Sequence, residues 1–528
     1  MESSTSVHEE TTAPMAAADM ISDLPDKLLL RILSFLPTAS EVARTSALSR
    51  RWRHLWPKAV ALRFDVGRKP ESYREADGAE ARRVIAAASA AVEQRAAAAC
   101  ECPDVEDLEL SFVYTSEDDF YDMDMVHHHG RDITALVVEM PCSARAEEMS
   151  LTLGNARLKV PVAGAAGAIA VLTDMTLRYA QLDPASGDDD LRLSHLLSSS
   201  CCPQLRSLCL YKILGLKTLR LDAADTLEEL WLGSLRDLET LDVTAPGLLD
   251  LAVWSCGAIS EARIAAPMVE ELEFVRHTKV LEFDDAASVR RIVSLQMWSH
   301  RLRRSGDGDD DDDCNNNSAT VWLLRNCTGV KRLGLEVNLP YWWSHVKEAH
   351  GDEIQEGDIV DMTAEIPHLP NVSNLTMEVY AYGHTIGASV SKLIAKCSNV
   401  EHLCININNY TGKECLDLSC ICQSADWDNL NRFSLGHLRN IEINGFLPLD
   451  SQIRLLRLLV ATAPALERMT VKLDMSEFKD GEEVNFDISC DGGRWLPSVW
   501  ECSELGFVRP VAYEWLRDAH RVEQAGEA

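Results

Sequence analysis

Seven consecutive copies of one apolar pattern, L-x-x-L-x-L, run through residues 205–274 and restrict the folds open to this chain. One continuous helix is excluded because glycine and proline interrupt the pattern repeatedly. The pattern therefore indicates many short elements joined by turns. The copies begin ten or eleven residues apart, at Leu205, Leu216, Leu227, Leu238, Leu248, Ile259 and Val269.

A short strand accounts for each copy. In L-x-L the two apolar side chains point to one face of a strand, and the middle residue points to the other. Two copies make a unit of 21 or 22 residues, within the range of roughly 20–29 residues for a leucine-rich repeat. Such units must stack because none buries its apolar face alone.

We therefore predict an α/β fold in which a small three-helix module precedes a leucine-rich-repeat solenoid. One strand of each unit forms a curved parallel sheet, the other closes the opposite wall, and irregular helices and loops lie outside. Weaker copies of the pattern extend this prediction in both directions, to 105–110, 172–177, 330–335, 372–377, 400–405, 438–443 and 466–471.

Residues 20–57 differ in kind from the repeats, because their apolar residues follow helical spacing. Pro25 suits the first position of a helix that Pro37 stops. Ser40 and Ser49 suit the N-caps of two further helices. Three helices in 38 residues bury too little to be stable alone, so we expect either the rest of the chain or a partner to cover their apolar face.

The sequence L-P-D-x-L-L-L-x-I-L-S-F-L-P, followed by L-S-R-R-W-R-H-L-W, resembles a plant-type F-box. The run K-A-V-A-L-R-F-D-V after it also resembles that family, whereas Thr45 and Ala47 depart from its usual residues. The resemblance implies binding to a Skp-type adaptor and, through it, to the cullin of an SCF ubiquitin ligase. Carried over by position, it implies adaptor-binding roles for Leu24, Pro25, Leu28, Leu29, Ile32, Leu33, Leu36, Pro37, Val42, Leu48, Ser49, Trp52, Leu55 and Trp56.

Residues 432–473 predict a strand, a turn at Asn444-Gly445, a helix through residues 455–459 and a second strand. This βαβ-like unit, with its phrase A-P-A-L-E-R-M-T-V, resembles the FBD region found after F-box and leucine-rich repeats in plants. The same residues are also compatible with the last repeats of the solenoid.

The remaining divisions follow from composition. Residues 303–318, R-R-S-G-D-G-D-D-D-D-D-C-N-N-N-S, indicate a solvated acidic insertion without the glycine and glutamate spacing of an EF-hand loop. The three histidines at 127–129 are more typical of an exposed loop than of a metal site. The other predicted segments are a disordered tail (1–19), the F-box (20–57), a helical linker (58–101), the solenoid (102–431) and a C-terminal extension (474–528).

The middle residues of the predicted strands point away from the core and include candidates for binding a target. Tyr211, Trp231 and Trp254 are aromatic side chains of the kind favoured at interfaces. Glu273 belongs to a group of glutamates that suits a basic target. The alternative is that these aromatic side chains pack beneath the insertions between repeats.

Composition excludes several functions. With 51 Lys and Arg against 83 Asp and Glu, the formal charge is −32, which disfavours both nucleic acid and anionic membranes as partners. No apolar run approaches the roughly 20 residues of a membrane span, and no signal-peptide pattern opens the chain. We therefore expect a soluble protein of the nucleus or cytoplasm.

The motifs of common chemical sites are absent from the sequence. The 16 cysteines show no zinc-finger spacing, so we expect free thiols in the core and neither a metal nor a cofactor. The chain contains no P-loop, G-x-S-x-G or H-E-x-x-H motif, so we do not expect an enzyme.

We therefore expect a substrate-recognition subunit of an SCF-type ligase, with the F-box binding the adaptor and the repeats binding a target protein of unknown identity. Two alternatives stay open: a small-molecule-dependent F-box receptor, and an F-box scaffold that acts outside ubiquitination. A polyphosphate ligand would need a basic floor, and the candidate face has acidic and apolar residues.

Overall fold

The structure is a computed structural model. It describes residues 21, 23–66, 78–97, 105–112, 135–142, 145–161, 169–182, 189–256, 259–275, 278–302, 317–340, 359–408, 415, 420, 422, 434–474, 500–505 and 512–517. The predicted tail at 1–19, the histidines at 127–129 and residues 303–316 of the acidic insertion lie outside the described residues. The described α-helices are α1 (Asp26–Ser34), α2 (Ala39–Arg44), α3 (Arg50–Leu55), α4 (Gly78–Ala97), α5 (Asp189–Leu196), α6 (Ser318–Asn326), α7 (Gly387–Ile394) and α8 (Asp450–Thr462).

Helices α1 to α3 form the N-terminal region and share a small core. Leu29 and Leu33 of α1 meet Trp52 and Leu55 of α3 in one buried cluster. This cluster is separate from the large core of the strands, so the helical region buries its own apolar residues.

The caps of these helices confirm one prediction and correct two. Ser49 caps α3 as predicted, because its side chain accepts a hydrogen bond from the Trp52 N–H. Thr38, and not Ser40, caps α2: it has the extended backbone that a cap requires, whereas Ser40 lies inside the helix. Pro25 precedes α1 as its N-cap residue and does not form its first turn.

A large sheet of 17 strands follows the helical region and is parallel over most of its width. Neighbouring strands pair in the order β1, β2, β4, β5, β6, β8, β10, β12, β14, β16, β18, β19, β20, β21, β23 and β22, with β3 beside the end of β4. The strands are β1 (Ala61–Asp65), β2 (Val105–Ser111), β3 (Val137–Glu139), β4 (Ala146–Lys159), β5 (Asp174–Leu182), β6 (Ser207–Leu214), β8 (Glu229–Gly233), β10 (Asp250–Trp254), β12 (Glu271–Val275), β14 (Arg291–Trp298), β16 (Arg332–Asn338), β18 (Asn374–Tyr380), β19 (His402–Asn408), β20 (Asn440–Phe446), β21 (Arg468–Leu473), β22 (Trp500–Leu505) and β23 (Ala512–Arg517).

Alternate copies of the leucine pattern lie in a second parallel sheet. Its strands are β7 (Thr218–Asp222), β9 (Thr240–Thr244), β11 (Ile259–Ala265) and β13 (Thr278–Asp284). A short antiparallel pair, β15 (His300–Leu302) and β17 (Ile359–Asp361), lies apart from both sheets. The predicted alternation of copies between two sets of parallel strands is therefore present in the described residues.

The L-x-L pattern has the burial expected of strands. Leu230 and Leu232 of β8 are fully buried, whereas Trp231 between them is 48% exposed. Burying one leucine side chain contributes about 1.5–3 kcal/mol, and every copy from 205 to 274 places its apolar residues in one continuous core. Packing of these leucines therefore holds the strands together and leaves the middle residues on the opposite face.

Three segments differ from the prediction. β1 lies inside the predicted helical linker 58–101, because Leu62 and Phe64 are buried in the sheet core beside β2. Gly445, predicted in a turn, belongs to β20 at a break in register and has a positive φ. Residue 317 does not belong to the acidic insertion: the Asn317 amide is buried and exchanges two hydrogen bonds of 2.8 Å with the Trp298 backbone.

Different elements lie at the two ends of the large sheet. At the first end, Arg95 of α4 donates a hydrogen bond to the Ala59 carbonyl, two residues before β1. At the other end, β23 and β22 pair antiparallel onto β21. None of the helices in the described ranges is long and apolar enough to cross a bilayer.

Candidate functional site

Helix α1 presents an apolar stripe to solvent. Leu28 and Ile32 are one helical turn apart and are 50% and 40% exposed, and Phe35 at the end of the helix is 71% exposed. Leu48, in the turn before α3, is also exposed. Five of the twelve large exposed apolar side chains in the described residues lie within 21–48, so apolar surface is concentrated on this small region.

The predicted adaptor-binding residues divide into three groups by burial. The exposed group is Pro25, Leu28, Ile32, Pro37, Leu48 and Ser49. The half-buried group is Leu24, Leu36 and Trp56. The buried group, which forms the core of the helical region, is Leu29, Leu33, Val42, Trp52 and Leu55.

Sequence spacing missed Phe35, which follows Ile32 by three residues on the same stripe. Its ring is covered on one side by the Arg31 guanidinium, 5.1 Å from the ring centre. A helix wheel extended by one residue beyond Ser34 would have found it.

Polar contacts fix the helices to one another and to the sheet. Arg51 of α3 contacts the Asp26 carboxylate at 2.6 Å, at the start of α1. Arg63 of β1 donates a hydrogen bond of 3.0 Å to the Ser34 carbonyl at the end of α1, and its guanidinium lies 2.6 Å from Asp107 of β2. Both ends of α1 are therefore held, and the exposed stripe has a fixed orientation relative to the sheet.

The predicted target-binding residues lie on the core-distant face of the large sheet. Register places Trp231 opposite Ala252, and Ala252 opposite Glu273. Gly233 lies two residues after Trp231 on the same face of β8. Its partners in register are Tyr211 on one side and Trp254 on the other, and these three residues form the next row across the strands. The structure therefore brings all four predicted residues together on neighbouring strands.

Glycine at position 233 allows the two aromatic rings to meet. The centres of the Tyr211 and Trp254 rings are 5.2 Å apart, and a Cβ on Gly233 would lie 2.6 Å from Trp254 and 2.8 Å from Tyr211. Tyr179 of β5, which the sequence prediction missed, extends the group with its ring centre 5.5 Å from that of Tyr211. The amine of Lys212 lies above both tyrosine rings.

A row of mostly acidic residues crosses the same face of the sheet, two residues before the row of Trp231, Ala252 and Glu273. Burial raises the pKa of Glu148 and of Asp250, and neighbouring carboxylates raise both further. Burial also raises the pKa of Glu273, with additional effects of Glu271 and Glu336. Arg63 and Arg291 offset part of this negative charge through Asp107 and Glu271. The remaining carboxylates favour a basic partner at this face. Six carboxylates and one serine make up the row, in strand order Asp107, Glu148, Asp174, Ser207, Glu229, Asp250 and Glu271.

Comparison with known proteins identifies the helical region. Residues 21–59 match the family model of the F-box domain, so the chain carries an F-box domain at the predicted position. F-box/LRR-repeat protein 25 of Arabidopsis thaliana is 53% identical over 49 residues, which are 9% of this chain and 19% of that protein.

Two further Arabidopsis thaliana relatives carry related names. An F-box/FBD/LRR-repeat protein is 58% identical over 52 residues, 10% of this chain and 11% of its own length. An FBD-associated F-box protein is 50% identical over 56 residues, 11% of this chain and 31% of its own length. These names confirm the predicted resemblance to plant F-box proteins. The matched segments span less than a third of each of these relatives.

Proposed function

We propose that this chain, which carries an F-box domain at residues 21–59, is the substrate-recognition subunit of an SCF-type ubiquitin ligase. F-box domains generally bind Skp-type adaptors. The observation that carries the proposal is the exposed stripe of Leu28, Ile32 and Phe35. These three side chains lie outside the buried core of the F-box domain. Exposed apolar patches of this kind mark interaction surfaces. Through the adaptor, the chain would join a cullin.

The predicted adaptor residues then have two roles. The exposed residues Leu28, Ile32 and Leu48, together with Phe35, contact the adaptor. The buried residues, such as Leu29 and Trp52, hold the helices in the geometry that presents the stripe. A charge at position 29 would therefore unfold the helical region, so only substitutions at exposed positions separate contact from folding.

The remainder of the chain is assigned to target binding. The two parallel sheets support a leucine-rich-repeat solenoid whose larger sheet lines the inner face, because alternate copies of one pattern supply alternate walls. The unit β20–α8–β21 supports an FBD-like region at 432–473. The domain divisions predicted from the sequence are retained as part of this proposal, except that β1 is counted as the first strand of the solenoid and residues 317 and 318 are excluded from the acidic insertion.

The target is a protein with a basic segment. Exposed Trp231 supplies an aromatic anchor, and Glu273 and the neighbouring acidic row supply charge complementarity. The chain performs no covalent chemistry in this proposal. It raises the local concentration of target lysines beside the transferring enzyme.

The experiment is proximity labelling in cells treated with a proteasome inhibitor, with the parent chain, Trp231→Ala and Ile32→Glu compared. Proteins labelled by the parent and lost with Trp231→Ala are targets, and adaptor and cullin should be lost only with Ile32→Glu. Targets should accumulate when the chain is removed. Equal labelling by the parent and Trp231→Ala would contradict the proposal. So would targets whose abundance does not change when the chain is removed.

A further inference from the structure

Four metal-ligating side chains that the proposed function does not use meet after the ends of β18 and β19. They are His384, Cys415, Cys420 and Cys422, and their ligand atoms all lie within 4.8 Å of one another. The Cys420 sulfur lies 3.2 Å from His384 Nδ1. In a tetrahedral zinc site with Zn–S bonds of about 2.3 Å, neighbouring ligand atoms are about 3.8 Å apart. The printed separation of 3.2 Å and the 4.8 Å limit for the group lie on either side of this value, so small side-chain movements would bring the four atoms around one ion.

The hydrogen bonding of His384 selects the tautomer that a metal needs. Nε2 lies 3.2 Å from the Pro340 carbonyl oxygen. A carbonyl only accepts, so the proton is on Nε2 and the lone pair is on Nδ1, which faces the thiols. Histidines that bind metals usually donate their second N–H to such an outer partner.

The backbone around the cluster positions these side chains. His384 follows β18 in a turn where Tyr382 and Gly383 have positive φ, and its N–H donates to the Ala381 carbonyl. The neighbouring Thr385 hydroxyl donates a buried hydrogen bond of 2.8 Å to the Cys422 carbonyl. The histidine after β18 and the cysteines after β19 are thereby held together.

The cluster is not part of the main apolar core. Cys420 and Cys422 are each 4% exposed, and they form a separate buried group with half-buried Ile359 and Cys415. Two buried thiols with a half-buried thiol and a half-buried imidazole, without the leucines found elsewhere in the chain, have the composition of a structural zinc site.

We propose that His384, Cys415, Cys420 and Cys422 form a Cys₃His site that binds one Zn²⁺. Three thiolates with one imidazole suit zinc in preference to the hard cations Mg²⁺ and Ca²⁺. Four protein ligands complete the tetrahedron and leave no open position, so the ion is structural. It links the segments after two adjacent strands of the sheet and stabilises the fold against unfolding.

The spacing of these four residues in the sequence did not predict the site. The run Cys415-x₄-Cys420-x-Cys422 has one spacing typical of zinc ligands, but the histidine precedes it by 31 residues. Parallel pairing of β18 and β19 brings the two segments side by side.

The test is zinc content measured by mass spectrometry on the full chain, purified under reducing conditions and dialysed without chelator. The expected result is one zinc per chain, with tetrahedral cobalt–thiolate absorption after exchange with Co²⁺. Cys422→Ser and His384→Ala should lose the bound metal. The matched control Cys404→Ser, on β19 outside the cluster, should retain one zinc per chain.

Thermal unfolding separates loss of metal from loss of fold. Chelation should lower the Tm of the parent and leave the Tm of Cys422→Ser unchanged, with circular dichroism of the variant retaining the strands. Absence of zinc from the reduced parent after incubation with excess Zn²⁺ would overturn the proposal. So would retention of one zinc per chain by a variant that lacks both Cys420 and Cys422.

Discussion

The guanidinium of Arg63 lies 2.6 Å from the carboxylate of Asp107, and this ion pair joins the first two strands of the sheet directly beneath the F-box. The same guanidinium donates hydrogen bonds to the carbonyls of Ser34 and Leu36, where α1 ends. These carbonyls have no partner within the helix. One side chain therefore satisfies the C-terminal end of α1 and fixes this helix to the first two strands of the sheet.

Arg63→Met should loosen the F-box relative to the sheet without abolishing adaptor binding. The lost hydrogen bonds involve a charged donor in a half-buried position and should cost about 1–2 kcal/mol in the free energy of unfolding. Hydrogen exchange should accelerate at the end of α1 and in β1. Arg206→Met is the control, because its ion pair with Glu228 is more exposed and should contribute less. Equal exchange in the parent and Arg63→Met would contradict this role.

Gly233→Ala should destabilise the chain by about 1–3 kcal/mol, because the added methyl group collides with Trp254 and Tyr211 and overpacks the row. Near-ultraviolet circular dichroism should report the altered ring packing, and chemical denaturation should report the lost stability. Gly436→Ala is the matched control, since a Cβ there has no neighbour within 4 Å. Equal free energies of unfolding for the two variants would contradict this prediction, because the two rings would then move apart without loss of stability.

Trp231→Ala should weaken capture of a basic target by about 30-fold, the loss expected when a central aromatic anchor of about 2 kcal/mol is removed. Stability should change little, because the Trp231 side chain is 48% exposed. The measurement is isothermal titration with a target peptide identified by proximity labelling. Met268→Ala, at an exposed apolar residue outside this group, is the control. Unchanged affinity would contradict target binding by this face of the sheet.

Glu273→Gln should raise the Tm near neutral pH and weaken binding of a basic target. Burial raises the pKa of Glu273 above its ordinary value of 4.5, so folding favours the protonated form. Its stabilising contribution is therefore complete below the unfolded-state pKa and is lost as pH rises through the folded-state pKa. The Tm advantage of the variant should consequently shrink as pH falls toward 4.5.

Glu139→Gln is the control, because the pKa of Glu139 is shifted in the opposite direction from that of Glu273. A hydrogen bond from Lys159 lowers the pKa of this exposed carboxyl, so its removal should give no gain in Tm at neutral pH. A Tm for Glu273→Gln that is no higher than that of the parent at neutral pH would contradict the proposed crowding of carboxylates.

Alternation along the chain was sufficient to predict the strands of residues 205–274. Leu230 and Leu232 can both be buried only if Trp231 points the other way, so the pattern fixes both the element and its face. β1 escaped prediction because A-L-R-F-D lacks the leading leucine of the repeat, although Leu62 and Phe64 alternate correctly.

The candidate site was only partly predictable. Helical spacing identifies two adjacent stripes on α1, Leu28 with Ile32 and Leu29 with Leu33, but not which of them the other helices cover. That choice depends on the positions of Trp52 and Leu55, which only the tertiary structure defines. The Cys₃His cluster depends in the same way on the pairing of β18 with β19.

The most direct test is the affinity of a purified Skp-type adaptor for the parent chain, Ile32→Glu and Leu191→Glu. Both changes place a carboxylate on an exposed apolar position, one on the F-box stripe and one on α5. We predict that Ile32→Glu weakens binding by at least about 30-fold, with an unchanged Tm, and that Leu191→Glu binds as the parent does. Equal affinity of all three, or no binding by the parent, would contradict the assignment of the chain to an SCF ligase.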